Sequence, residues 1–180
     1  MSRIFGPIAQ NGYIVDDLER AMNHWVTKLG VGPFFFVRGM SFERYVYKGR
    51  ASSPVINVGF ANSGDLQIEL IQQTNDEPSS YKEFLQESGP GLQHVAVWRP
   101  DYDDATKQFL SLGLEVLQEG SAGEGRRFAY YDTRLHAGSI MEVFELAPDS
   151  RDFFKTIRDA AKNWDGADPI REINTNALPT

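Results

Sequence analysis

The chain has 180 residues, a formal net charge of -7 and a hydrophobic fraction of 41%, enough for one sizeable core or two small modules packed as one domain. An acidic chain without a basic stripe is not built for nucleic acid, and the absence of cysteine removes disulfides, thiolate nucleophiles and cysteine-type zinc sites. Met1 to Pro7 lacks a signal-peptide core and no run approaches the roughly 18 apolar residues of a membrane span, so the expectation is a cytoplasmic protein with no membrane partner.

Ile8 to Val15 reads as a strand, and Asp16 or Asp17 can cap the helix that follows. Leu18, Ala21, Met22, Trp25, Val26 and Leu29 share one face of that helix, which Gly30 and Gly32 end. Phe34 to Arg38 is aromatic and strand-prone, and Ser41 to Ser53 is polar and glycine-containing, a hairpin or loop. Val55 to Phe60 and Leu66 to Gln72 are strands around the turn Asn62-Ser63-Gly64-Asp65. A polar link, Asn75 to Ser80, leads into a short helix, Tyr81 to Glu87, and Gly89-Pro90-Gly91 marks the midpoint.

The order then restarts. A strand covers Leu92 to Trp98, and a helix carries Tyr102, Ala105, Phe109 and Leu112 on one face before Gly113. Strands follow near Glu115 to Gln118, Arg127 to Asp132 and Ser139 to Glu145. Gly120 to Gly125 is glycine-rich but lacks the strand-to-helix context of a phosphate site, and reads as a loop. Beyond the repeat, Ser150 can cap a helix whose Phe153, Phe154, Ile157, Ala161 and Trp164 form a stripe that packs on the body or on a partner subunit. Ala167 to Thr180 reads as a mostly irregular tail.

The duplication is the most informative feature. Gln10 and His94 each open a strand with an aspartate seven residues on (Asp17, Asp101) and an alanine four residues after that (Ala21, Ala105). Each copy closes with a strand carrying one acid among apolar residues, Glu69 in the first and Glu142 in the second. Gln10, Glu69, His94 and Glu142 therefore occupy equivalent places, as a site shared between two halves would require.

Two β-α-β-β-β modules carrying Gln10-x6-Asp17-Leu18-Glu19-x-Ala21, Ile68-Glu69-Leu70-Ile71, Gly91-Leu92-Gln93-His94-Val95-Ala96 and Met141-Glu142-Val143-Phe144-Glu145 resemble the vicinal oxygen chelate superfamily, which includes glyoxalase I, methylmalonyl-CoA epimerase and the bleomycin-resistance proteins. The resemblance implies an α+β fold over about residues 6–146, with modules at about 6–88 and 89–146 curving one mixed sheet around a central cavity. Residues 147–180 add a C-terminal helix and tail. It also implies a homodimer, a small-molecule substrate and a divalent metal (Zn, Ni, Co, Mn or Fe) on Gln10, Glu69, His94 and Glu142. Thr74 to Glu77 followed by a short helix and Gly-Leu-Gln-His looks like the epimerase branch. Epimerases, however, generally have histidine where Gln10 stands, and this set of ligands resembles animal glyoxalase I.

The residues support a metal independently of that likeness. Alternation puts Glu69 on the face of Gln67 and Ile71, and Glu142 on the face of Ile140 and Phe144. An acid in an apolar strand is costly to bury, and two converging acids repel unless a cation lies between them. Each residue alone has a plainer reading: Gln10 as a strand amide, Glu69 on a solvated face, His94 as a bonded core histidine, Glu142 paired to Arg127 or Arg134. His24 and His136 read as non-ligands, with His136 placed to line the mouth.

The resemblance implies an isomerase, epimerase or lyase that abstracts a proton next to a carbonyl, with Glu142 as base and Glu69 as the alternative. The epimerases' other catalytic glutamate falls near Asn57, where no acid stands. Ile14, Gln73 and Pro90 occupy the glutathione-binding places of glyoxalase I, which favours an acyl-CoA or a small keto or hydroxy compound over a glutathione adduct. Phe34, Phe36, Tyr45, Phe60, Trp98 and Tyr130 are the candidate pocket residues. The competing classes are a metal-free binding protein of bleomycin-resistance type, a glutathione-dependent glyoxalase and a purely structural module.

Overall fold

The computed structural model describes residues 2–123, 126–133 and 135–173. The first half contains β1 (Gln10–Ile14), α1 (Leu18–His24), β2 (Phe34–Met40), β3 (Arg44–Tyr47), β4 (Arg50–Ala51), β5 (Ile56–Ser63), β6 (Leu66–Gln73) and α2 (Ser80–Ser88). The second contains β7 (Gly91–Arg99), α3 (Tyr102–Ser111), β8 (Glu115–Ser121), β9 (Arg127–Asp132) and β10 (Ile140–Glu145), followed by α4 (Pro148–Ala161) and β11 (Ile170–Glu172). No helix among the described residues is long and apolar enough to cross a membrane.

Local chemistry explains most boundaries. The Asp17 carboxylate accepts the Arg20 amide at 2.9 Å and starts α1. α1 passes into a π-helical turn over Trp25–Leu29, closed by Gly30 at φ 67. The wider turn rotates the apolar stripe: Leu18 and Met22 are buried, while Leu29 is 54% exposed. Ser79 caps α2 by accepting the Lys82 amide.

Strands follow the order β11-β2-β5-β6-β1-β7-β10-β9-β8-β3-β4 in one sheet. The halves contribute β2-β5-β6-β1 and β7-β10-β9-β8, mirror orders joined where β1 runs antiparallel to β7. The stretch after β2 crosses to the far edge, where β3 pairs with β8. Laid flat, eight strand spacings between β2 and β3 would measure about 38 Å. The connection from Met40 to Arg44 spans at most about 14 Å. The sheet must therefore curl so that its ends approach, and its concave face encloses the site.

Alternation sorts the side chains onto two faces. Ile68 and Leu70 point outward against Leu18 and Met22 of α1, and Val143 points outward against Ala105 and Phe109 of α3. Ile14, Ile56, Val58, Ile71, Phe128 and Ile140 point inward. Each such side chain contributes about 1.5–3 kcal/mol when fully buried.

The C-terminal segment differs in detail from the sequence reading. Ser150 does not cap α4, because the helix begins two residues earlier at Pro148, whose missing N–H suits a first turn. The α4 stripe packs on its own chain: Phe154 stacks on Trp98 with ring centroids 4.5 Å apart, and Phe153 meets Phe60 edge-on at 6.0 Å. Trp164 lies beyond the helix, over Gly32, where a ring atom would be 2.8 Å from an added Cβ. The tail is not wholly irregular, since β11 pairs in parallel with β2. Residues 174–180 lie outside the described residues.

Candidate metal centre

β6, β7 and β10 bring Glu69, His94 and Glu142 together on the concave face, with one ligand atom from each within 4.8 Å of the others. His94 Nε2 is 3.3 Å from Glu69 Oε2 and 3.2 Å from Glu142 Oε2. The three side chains are 0%, 13% and 7% exposed respectively, so the charges are held out of bulk water. Glu69 and Glu142 occupy the faces that strand alternation assigns them.

Neighbours fix the tautomer of His94. The Gln93 Nε2 donates to the Ser80 carbonyl at 2.8 Å, which can only accept. Gln93 Oε1 therefore faces His94 Nδ1, 3.0 Å away, and Nδ1 carries a proton. In the neutral ring Nε2 then presents a lone pair to two carboxylates. Adjacent strand residues normally face opposite ways. Here the β1–β7 register shifts, with Gly12 opposite His94 and Tyr13 opposite Leu92, so Gln93 bulges out and reaches the ring beside it. Gly12 makes room for the imidazole: a Cβ there would lie 1.9 Å from His94 Cε1. Sequence pattern alone assigns no role to Gln93 or Gly12; the signal it does carry is a glycine inside a strand, which marks close approach.

Burial opposes charge on His94, but Glu142 and Glu69 outweigh it and push the imidazole up to about 9. Burial pushes the Glu142 carboxyl above the usual carboxylate range, with the Glu69 charge adding to the effect and His94 opposing it. Tyr130 Oη lies 3.4 Å from His94 Nε2 and 3.3 Å from Tyr81 Oη. Burial, reinforced by the two glutamates, raises both phenols, so they remain neutral donors. Glu142 Oε2 is buried, and apart from its approach to His94 Nε2 it makes no hydrogen bond. Two buried carboxylates converging on an imidazole whose outer nitrogen is already bonded fit a divalent cation by donor chemistry and by orientation.

Gln10 is 4% exposed and lines the same cavity as Glu69 and Glu142. Its Nε2 donates to Gln67 Oε1 at 2.7 Å, which leaves its carbonyl oxygen for other work. The cavity, about 120 Å³, is also lined by Phe60 and Tyr130 from the candidate pocket set. Phe34 and Phe36 pack on the outer face with α1, Tyr45 is buried against Phe42 and Phe128, and Trp98 stacks on α4; none of the four lines the cavity. Tyr81, read only as the start of a helix, does line it.

Arg127 does not pair with Glu142. It is bound by Glu145 at 2.7 Å and Asp103 at 2.8 Å, and Arg134 lies outside the described residues. His136 sits in a turn beside a second cavity of about 160 Å³ and not at the glutamates, while His24 is exposed on α1. Asn57 donates to Gln72 at 3.1 Å and accepts from the Gly39 amide, so it supplies no second base.

Residues 9–130 match the family model described as Glyoxalase/Bleomycin resistance protein/Dioxygenase superfamily. Among solved structures, methylmalonyl-CoA epimerase from Mycobacterium tuberculosis is similar at a TM-score of 0.55 and 19% identity, over 84% of this chain and 95% of that one. A hypothetical protein from Bacillus halodurans is similar at 0.54 and 15%, over 78% and 94%. A methylmalonyl-CoA epimerase in complex with methylmalonyl-CoA and NH4+ is similar at 0.52 and 19%, over 78% and 94%. At these identities the likeness shows the fold. No curated protein matches the sequence significantly.

Proposed function

The chain belongs to the glyoxalase/bleomycin resistance protein/dioxygenase superfamily, and from that premise we propose that it is a metal-dependent isomerase, epimerase or lyase acting on a carbon next to a carbonyl. The observation that carries this reading is the buried Glu69–His94–Glu142 cluster, with His94 Nε2 turned toward both carboxylates by Gln93. These three residues and Gln10 would hold a divalent ion, from the group Zn, Ni, Co, Mn or Fe. Bound there, the ion would supply Lewis acidity to substrate oxygens and stabilise negative charge as a proton leaves.

The protein's own groups do the rest. Glu142, raised by burial, is the base that takes the proton and returns it to the same or a neighbouring carbon, with Glu69 the alternative. Tyr130 and Tyr81 remain protonated and can donate to a developing oxyanion. Phe60, Phe144, Phe153 and Phe154 keep water from the reacting carbon. The substrate is an acyl-CoA or a small keto or hydroxy compound. The Asn57 environment favours one carboxylate working on both strokes over a pair of opposed bases.

One observation favours the metal-free alternative. A His94 pushed up to about 9 can stand as imidazolium between the glutamates and satisfy them without an ion, as a ligand-binding protein of the family would need. Elemental analysis of untagged protein, with Glu69→Ala and His94→Ala beside it, separates the two. The enzyme reading expects about one transition metal per chain, lost in both variants. A wild-type protein that stays empty after reconstitution with Zn, Ni, Co and Mn would give the cavity to a bound ligand instead.

A further inference from the structure

The cavity that contains Glu69 and Glu142 is also lined by Arg126, Asp149 and Ser150. Arg126 is an unneutralised cation: among the described residues its guanidinium makes no ion pair or hydrogen bond, whereas neighbouring Arg127 is saturated by Glu145 and Asp103. The turn holds it in place. Ala122 donates to the Arg126 carbonyl at 3.2 Å and Arg126 to that of Gly123 at 3.3 Å. The guanidinium also fills the space above Gly123, whose absent Cβ would lie 1.9 Å from Arg126 Nη2.

α4 supplies the second part. Its N-cap, Ala147, offers no side-chain bond, and Pro148 has no N–H, so the first-turn amides of Asp149 and Ser150 have no capping acceptor. Ser150 is 5% exposed, and its Oγ is buried with no hydrogen-bond partner. A 14-residue helix places partial positive charge at this end. A cation, a hydroxyl with no partner and uncapped amides belong to residues that line one cavity, and they share one complement, a small oxyanion. The cavity, about 120 Å³, has room for a body of about benzene size, and Phe60, Phe144 and Phe153 around it are apolar.

We propose that Arg126, Ser150 and the first turn of α4 bind a carboxylate of the substrate, which makes the part of the substrate held in the cavity a compact, apolar-bodied carboxylic acid. This deepens the proposed function and rests on reading the cavity as the substrate site. Asp149 is exposed on the same turn and opposes an anion, so removing its charge acts in the contrary sense.

The test titrates the full chain, stripped with EDTA, with benzoate and with its neutral isostere benzamide, followed by ligand-observed NMR. Wild type is expected to prefer benzoate by about 10-fold, the size of one charge-assisted contact. Arg126→Gln should erase that preference, Ser150→Ala should weaken benzoate several-fold, and Asp149→Asn should strengthen it. Equal binding of the two probes, binding of neither, or a preference that survives Arg126→Gln overturns the proposal. Metal content measured on the same preparations before stripping, and again after reconstitution with Zn, Ni, Co and Mn, keeps the failures apart. A wild type that takes no metal yet keeps the Arg126-dependent preference refutes only the metal reading. Normal metal content without the preference refutes only the carboxylate subsite.

Discussion

A methyl group at Gly12 would lie 1.9 Å from His94 Cε1 and 2.0 Å from Nε2, closer than any carbon tolerates. Gly12→Ala must therefore push the imidazole off the glutamates. The expected result is loss of stoichiometric metal together with about 1–3 kcal/mol of stability, read by elemental analysis and urea unfolding. Full metal content in that variant would place the ligands elsewhere. Gln93→Leu keeps the volume but removes the acceptor at His94 Nδ1, so metal affinity should fall about 10- to 100-fold with little change in fold. The metal-free protein should also be pH-sensitive. His94 rises from 6.5 to about 9 on folding, so its contribution is complete below about pH 6.5 and is lost as pH rises through about 9. That amounts to about 3 kcal/mol, and metal affinity should rise over the same interval as protons stop competing. Thermal unfolding of EDTA-treated protein from pH 6 to 10 checks the first trend; a midpoint that climbs with pH would contradict it. The glutamates and His94 were legible in the sequence because duplication and period two give both place and face. Gln93 was not, because a bulge cancels the alternation on which such a reading depends.

α4 shows what periodicity can and cannot convey about an element. Its stripe of Phe153, Phe154 and Ile157 follows from helical spacing alone, but spacing does not say what the stripe meets. The structure seats it on β5 and against Trp98, over the cavity. Phe154 is 8% exposed, so Phe154→Ala should cost about 3–5 kcal/mol in denaturant unfolding and alter Trp98 fluorescence. A cost under about 1 kcal/mol would mean that α4 detaches in solution. The helix start differs from the sequence pattern for a local reason: Ser150 has the chemistry of a cap, while Pro148 has the geometry of a first turn. The π turn after α1 and the short β11 leave no pattern of their own: β11 forms by pairing with β2, and Trp25 and Val26 of the turn pack in the cluster of Phe34 and Phe36.

At the scale of the molecule, the halves contribute equally to one centre: Gln10 and Glu69 lie in the first, His94 and Glu142 in the second. The sequence revealed this sharing but not the curl, because the pairing of β3 with β8 joins residues more than seventy positions apart. A bound ion would thus bridge the β1–β7 seam that the backbone already joins, and would stabilise only the assembled sheet. If the modules unfold together, metal at 100 times its dissociation constant should raise global stability by about 2.7 kcal/mol, and chelation should remove the same amount. One cooperative transition that moves with metal concentration is the expected outcome in calorimetry. Two transitions, with only one responding to metal, would mean that one half folds without the other and that the ion's ligands do not straddle the seam. Glu69→Ala and Glu142→Ala act from opposite sides of it. If the ion bridges the halves, either substitution alone should abolish the metal-dependent shift.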